Sequence, residues 1–341
     1  MTTVARQPRF LVTGGTGFIG RRLVRRIVSE HGPATVVCLI KTPATAQERE
    51  TLEWLRSSKV SLIDGDLMNH PVSAEAPPPV DVVFHLAANI DTDASEDALR
   101  VNHEGTRRLL DWLAPVSRGA RVMYASSVAV HDRMAEPEEP IRETSPLTPR
   151  TAYGRTKLEG ESVLRERASQ NGYSWTVLRL PTVYGPGQKA DGLFDQLVKM
   201  ALNGSLPGRI DWPGRTSIIH VDDVAAVMMD LAERPEAARE IYCVASDESL
   251  TVGEIAREIG QATGHPIRRV GIPRTLLRLV TMAVWNRAIQ RIVPPFTRLA
   301  FWRLSLMLSD GFWFDTTKFR LVYTKPLRPL EEGLADTIRK T

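Results

Sequence analysis

The stretch Phe10-Leu-Val-Thr-Gly-Gly-Thr-Gly-Phe-Ile-Gly20 narrows what this chain can fold into more than any other. A short apolar strand enters a turn with glycines at positions 14, 17 and 20, followed at once by an amphipathic run over residues 18–28. Gly14 permits the tight turn, Gly17 lets backbone approach a pyrophosphate, and Gly20 lets the next helix pack closely on its strand. The unpaired N–H groups at that helix start face the phosphates. Strand, glycine turn and helix together predict a dinucleotide site, with Thr16, Phe18 and Ile19 completing the loop.

Strand-like runs at 10–13, 35–40, 60–63, 81–85, 121–125 and 174–180 alternate with helical patterns, which predicts a Rossmann-type doubly wound parallel sheet in an α/β fold. The longer helices are expected over 96–113 and 152–169, the second stopped by Asn171-Gly172. Beyond Leu180 the pattern loosens, with a strand expected at 240–245 and a helix opened by the capping box Thr251-Val-Gly-Glu254. The expected division is a dinucleotide-binding domain over 1–180 and a mainly substrate-binding region over 181–341, with elements returning to the core.

Basic residues (44 Lys plus Arg) are scattered among 40 acidic ones, leaving a net charge of +4 without a cationic block, which argues against a nucleic-acid partner. Cys38 and Cys243 sit inside apolar runs and read as small buried side chains, with no disulfide or metal site implied. The first nine residues carry no apolar signal segment, so a cytoplasmic location is the default expectation. Residues 274–308 are dense in apolar side chains interleaved with arginines. No uncharged run there approaches the roughly 20 residues of a membrane span. The segment reads as a helix capping the substrate pocket, and alternatively as a patch for peripheral membrane contact.

Tyr153 and Lys157 stand four residues apart, a helical turn that puts phenol and ammonium on one face. They follow the fifth strand, whose C-terminal end presents Tyr124-Ala-Ser-Ser127, and strand C-termini line the ligand crevice of such sheets. Hydride transfer at a carbonyl needs a proton donor beside the oxygen that gains charge. A tyrosine with a pKa near 10 becomes competent when an ammonium favours its phenolate. Tyr153 is thus the expected general acid/base, Lys157 its tuning cation and holder of the nicotinamide ribose, and Ser127 the hydroxyl that orients the substrate oxygen.

These pieces, with Asp64-Gly-Asp-Leu67, His85-Leu-Ala-Ala88, Asn102, Leu178-Arg-Leu-Pro-Thr-Val-Tyr-Gly-Pro-Gly187 and His220-Val-Asp-Asp-Val224, make residues 9–341 resemble an extended short-chain dehydrogenase/reductase, of the NAD-dependent epimerase/dehydratase superfamily. The resemblance implies that Asp66 and Leu67 flank the adenine, that Leu86, Ala87 and Ala88 line the dinucleotide, that Pro181 and Val183 approach the nicotinamide, and that Asn102 is structural. It also implies a homodimer joined by helices 96–113 and 152–169. Where NAD-preferring members end the second strand in a carboxylate, this chain has Lys41, so NADP(H) is the expected cofactor, with NAD(H) the alternative. Val128-Ala129 stand where the family's dehydratases carry an acid pair, which argues against dehydration. Thr182 and Thr216 replace an asparagine and an arginine common in the epimerases, although Arg215 is adjacent. His131 replaces a tyrosine and reads as a pocket wall rather than a second acid. On wording the chain is closest to the 3β-hydroxysteroid-dehydrogenase-like branch, which implies interconversion of a secondary alcohol and a ketone on a small lipophilic, sterol- or polyketide-like substrate. The rivals are a nucleotide-sugar epimerase using the same residues with internal hydride recycling, and a non-catalytic redox-sensing protein.

Overall fold

The computed structural model describes residues 6–91, 94–131, 139–149, 151–188, 193–203, 210–264 and 312–339, together with positions 273, 275 and 279. Seven strands form a parallel sheet: β1 (Phe10–Thr13), β2 (Val36–Ile40), β3 (Ser61–Asp64), β4 (Val82–His85), β5 (Arg121–Ser127), β6 (Ser174–Leu180) and β10 (Glu240–Cys243). Their order is β10-β6-β5-β4-β1-β2-β3, the doubly wound arrangement expected from the alternation, with the order reversing at β1. Strands β1, β2 and β4 are buried at every position because helices cover both faces, so they read as continuous apolar runs instead of alternating ones.

On one face lie α1 (Gly20–His31) and α7 (Val221–Glu233), where Leu23, Val24 and Ile27 share a core with Val224, Val227, Met228 and Leu231. The other face is covered by α4 (Glu104–Leu113) and α5 (Ala152–Asn171), whose Leu109, Leu110, Leu113 and Leu164 pack on Leu11, Val37 and Val83. Helix α2 (Ala46–Ser57) is opened by a capping box in which Thr45 and Glu48 satisfy each other's backbone N–H groups. Helix α5 starts on a Thr151 cap and ends at Gly172, whose φ of 75° supplies the left-handed stop expected there.

The helix expected over 96–113 is instead two pieces, α3 (Glu96–Leu99) and α4, joined by a tight turn at Arg100–Asn102. Asn102 causes the break. Its side chain accepts from Asn89 N (2.8 Å) and donates to Asn89 O and Thr156 Oγ1 (both 3.0 Å), tethers that a continuous helix would not offer.

After β6 the chain builds β7 (Thr182–Tyr184), α6 (Leu193–Leu202), β8 (Arg215–Thr216) and β9 (Ile218–His220), then returns through α7 to add β10 beside β6. It leaves again through β11 (Leu250–Thr251) and α8 (Val252–Ala262), the latter with the expected Thr251/Glu254 capping box, and ends with α9 (Thr317–Val322) and α10 (Leu330–Arg339). Tyr184, Phe194, Trp212, Ile255 and Leu334 form a separate core among these outer elements.

The segment 274–308 falls outside the described residues apart from Thr275 and Leu279. Among the described residues no helix is long and apolar enough to cross a membrane. The expectation of peripheral membrane contact has no support in the fold and is withdrawn.

Candidate active site

The glycine turn ends β1 as expected. Gly14 sits at φ 71°, and Gly17 N donates to Gly14 O at 3.0 Å to close the loop. A Cβ on Gly14 would stand 2.8 Å from Ala87 N, and one on Gly20 only 2.0 Å from Gly14 O, so the first glycine admits the β4 loop and the third admits α1. Gly17 meets nothing closer than Gly14 O at 3.2 Å. Thr16, Phe18 and Ile19 lie between the glycines, Ile19 being the residue before the first turn of α1. This bare backbone at a helix N-terminus fits a dinucleotide pyrophosphate.

The remaining site residues line up along the C-terminal ends of adjacent strands. Leu86, Ala87 and Ala88 follow β4, with Leu86 N donating to Thr13 O (3.2 Å) and Ala87 N to Thr13 Oγ1 (3.2 Å). Ser127 ends β5, and its Oγ caps the next turn by accepting from Ala129 N at 3.2 Å. Pro181 and Val183 follow β6. Asp66 and Leu67 follow β3. The Leu67 side chain is buried against α4 at Gly105, whereas Asp66 stays half-buried and accepts from Met68 N at 2.8 Å.

Tyr153 and Lys157 share one face of α5, as the spacing predicts. The Tyr153 hydroxyl is hydrogen-bonded to Ser127, a contact that opposes the upward push of burial on its pKa. Lys157 is 3% exposed, and its ammonium lies 4.4 Å from the centre of the Tyr124 ring. Burial pushes it down to about 7, against the pull of the Glu161 carboxylate.

Beneath this pair runs a relay that the sequence did not disclose. Thr13 Oγ1 bonds His85 Nδ1 (2.7 Å), and His85 Nε2 bonds Thr106 Oγ1 (2.9 Å). Because Thr106 already donates to Asn102 O (2.8 Å), it accepts from His85, which therefore carries a proton on Nε2. Burial, with Lys157 nearby, pushes His85 down to about 3. The signal for this was a histidine ending an otherwise apolar strand, which demands buried partners.

His131 is fully buried, with Nε2 accepting from Arg179 Nη1 (3.1 Å) and Nδ1–H donating to Pro146 O (3.2 Å). It is an internal brace and not a pocket acid. His220, Asp222 and Asp336 bring ligand atoms within 4.8 Å of one another. Arg22 and Arg328 already neutralise those carboxylates at 3.4–3.5 Å, so cations occupy the place a metal would need. A surface groove between His103 and Arg107 of α4 and the exposed face of α5 lies on the opposite side of α5 from Lys157.

The profile of the NAD dependent epimerase/dehydratase family matches residues 10–245. A dTDP-glucose 4,6-dehydratase of Mycobacterium tuberculosis is 27% identical over 72% of this chain and 75% of its own. The fold is that of UDP-glucuronic acid 4-epimerase from Bacillus cereus, solved with UDP-glucuronic acid and NAD: TM-score 0.72, 20% identity, covering 97% of this chain and 98% of that one. A 3β-hydroxysteroid-dehydrogenase/decarboxylase of Arabidopsis thaliana matches at the same 27% identity as the dehydratase, over 96% of this chain and 61% of its own, so identity gives that branch no preference.

Three expectations are thereby corrected. The placement in the hydroxysteroid-dehydrogenase-like branch is not upheld: the family shown is the NAD dependent epimerase/dehydratase family, and a dTDP-glucose 4,6-dehydratase matches as well as the steroid enzyme does. With it goes the small lipophilic alcohol or ketone as substrate, which rested on that placement by motif wording. The preference for NADP(H) is overturned as well, since the family model that matches over residues 10–245 is that of NAD dependent enzymes. The physical reason concerns Lys41: its ammonium is paired with Asp66 Oδ2 at 3.0 Å, so it does not stand as a spare cation awaiting a 2′-phosphate.

Proposed function

Because this chain belongs to the NAD dependent epimerase/dehydratase family, we propose that it is an NAD(H)-dependent nucleotide-sugar epimerase, with Ser127, Tyr153 and Lys157 as its reacting groups. The observation that carries this reading is the Tyr153–Ser127 hydrogen bond above the buried Lys157 ammonium, at the strand ends that face the glycine loop. Gly14, Gly17 and Gly20 cradle the pyrophosphate, with Thr16, Phe18 and Ile19 completing the loop. Asp66 and Leu67 flank the adenine, Leu86, Ala87 and Ala88 line the dinucleotide, and Pro181 and Val183 approach the nicotinamide. NAD held by these residues would supply the hydride acceptor and donor for oxidation and re-reduction at one sugar carbon.

Tyr153, as phenolate, removes the proton of the sugar hydroxyl, and as phenol gives it back. Burial penalises a phenolate alone and an ammonium alone. The two together are a neutral pair, which offsets part of that cost for each charge. Ser127 hydrogen-bonds the sugar oxygen and so restrains it beside Tyr153. Epimerisation is favoured over dehydration because Val128 and Ala129 follow Ser127, and the short turn they form offers no carboxyl group to a leaving hydroxyl.

The test is to denature the purified protein, identify the dinucleotide released, and incubate the native protein with UDP- and dTDP-hexoses. The expected results are NAD and a C-epimer of one of these sugars. Tyr153→Phe should keep the dinucleotide and lose roughly two to four orders of magnitude in turnover. Full turnover in Tyr153→Phe, or no sugar converted by the wild type, would refute the reading.

A further inference from the structure

The Glu161 carboxylate, 0% exposed, is where three site-bearing elements meet. Its Oε1 accepts from Ser126 Oγ at 2.6 Å, the residue before Ser127 on β5. Arg179 of β6 grips it from the other side, Nε to Oε1 at 3.1 Å and Nη2 to Oε2 at 2.9 Å. On α5 it stands one turn beyond Lys157. Arg179, 1% exposed, spends its last nitrogen on Glu143 O and His131 Nε2, both at 3.1 Å, and Glu143 Oε1 accepts from Cys243 N of β10 at 2.7 Å.

We propose that Glu161 is a positioning residue: by tying β5, β6 and α5 together through Ser126 and Arg179, and by facing Lys157 from one turn away, it sets the geometry and the charge of the Ser127–Tyr153–Lys157 group. A wholly buried ion pair is poor evidence for a stabilising role, because apolar side chains of equal volume often stabilise as well or better. What apolar packing cannot supply is a fixed negative charge beside a buried ammonium. Among the described residues, the Tyr124 ring from β5, Tyr153 and Glu161 from α5, and neutral His85 from β4 behind Tyr124 face Lys157. Glu161 is the anion of that set. Without it two cations, Lys157 and Arg179, would be buried with no carboxylate between them.

The inference rests on Tyr153 and Lys157 acting as a pair, so its test needs no sugar substrate. Phenolate absorbance near 295 nm is followed against pH, and the curve of the corresponding Tyr153→Phe protein is subtracted to leave Tyr153 alone. The paired change Glu161→Leu with Arg179→Met removes both charges at similar volume and is expected to fold and bind NAD. In it the Tyr153 titration should move upward by about one pH unit, a tenfold loss of phenolate at a given pH. Ser126→Ala, which removes one tether and no charge, should move it by threefold or less. If the paired variant does not fold, Glu161→Asp, which withdraws the charge by one methylene, is expected to shift the same curve by about threefold. An unchanged curve in a folded variant of Glu161 would overturn the proposal and leave the pair a structural brace. Failure of the wild type to convert any nucleotide sugar would sink the functional reading while leaving this titration readable.

Discussion

Substituting Gly20 with alanine sets two physical effects in opposition. Gly20 is the first residue of α1, and by helix propensity alone alanine would stabilise it by about 1 kcal/mol. The added Cβ would, however, stand 2.0 Å from Gly14 O and 2.8 Å from Gly15 Cα. Ordinary contact begins near 3.4 Å, so α1 must recede by about 1.4 Å from a wall that is all backbone. Overpacking of this kind costs roughly 1–3 kcal/mol, and more where nothing can turn aside. The expected net effect is a loss of about 1–2 kcal/mol in urea denaturation. Because that movement carries the loop N–H groups with it, NAD should bind more weakly. One lost hydrogen bond to a charged group is worth roughly 1.5–3 kcal/mol, or about ten- to a hundredfold in affinity by calorimetry. Gly15→Ala is the control, since its Cβ would meet only the side chains of Cys38 at 3.2 Å and Val24 at 3.5 Å. If Gly20→Ala proved as stable as the wild type and bound NAD as tightly, the close-packing argument for the loop would be wrong.

Other perturbations reach different parts of the site. His85 is pushed down to about 3 in the fold, below an unfolded value near 6.5, so the unfolded chain takes the proton first and stability falls as pH drops from 6.5 toward 3. At pH 5 that amounts to about 2 kcal/mol, and His85→Gln should lose that much less than the wild type between pH 7 and 5 in urea titrations; parallel losses would exclude His85 as the source. Asp66→Asn frees the exposed Lys41 from its ion pair, and the ratio of NADP to NAD affinity should then rise by up to about fivefold, the scale of a surface pair; no change would mean that Lys41 lies out of reach of the ribose.

Much of the core was legible because parallel strands buried on both faces leave uninterrupted apolar runs, and because glycine, proline and capping residues punctuate them. The edges of β1 and β6 and the start of α5 came directly from such local signals, while α5 runs two residues past the expected end to Asn171. Local signals are silent about distant partners. Lys41 read as a phosphate-binding cation until Asp66, 25 residues on and at the end of the neighbouring strand, was seen to hold it. The break in the helix over 96–113 depended on Asn89 and Thr156 reaching Asn102, contacts no window of sequence contains. Glu161 and Arg179 are 18 residues apart, and only the adjacency of α5 with β5 and β6 makes them a pair. Substrate preference was misread for a related reason: motif wording near the nicotinamide does not reveal which outer elements close over the substrate.

The strand order has an architectural corollary. Since β10 lies beside β6 while α7, which leads into it, packs against α1, the outer elements are not a tail appended to a finished core. They are two excursions, one between β6 and α7 and one between β10 and α9, separated by a stretch that completes the sheet, and α9 returns Phe319 to the core. A cut after Leu180 would strip an edge strand and a covering helix from the nucleotide-binding half, so the halves cannot be prepared as independent pieces. Transplanting another specificity onto this scaffold would require exchanging both excursions in register while leaving the segment from His220 to Cys243, and the Phe319 and Tyr323 anchors of α9, untouched.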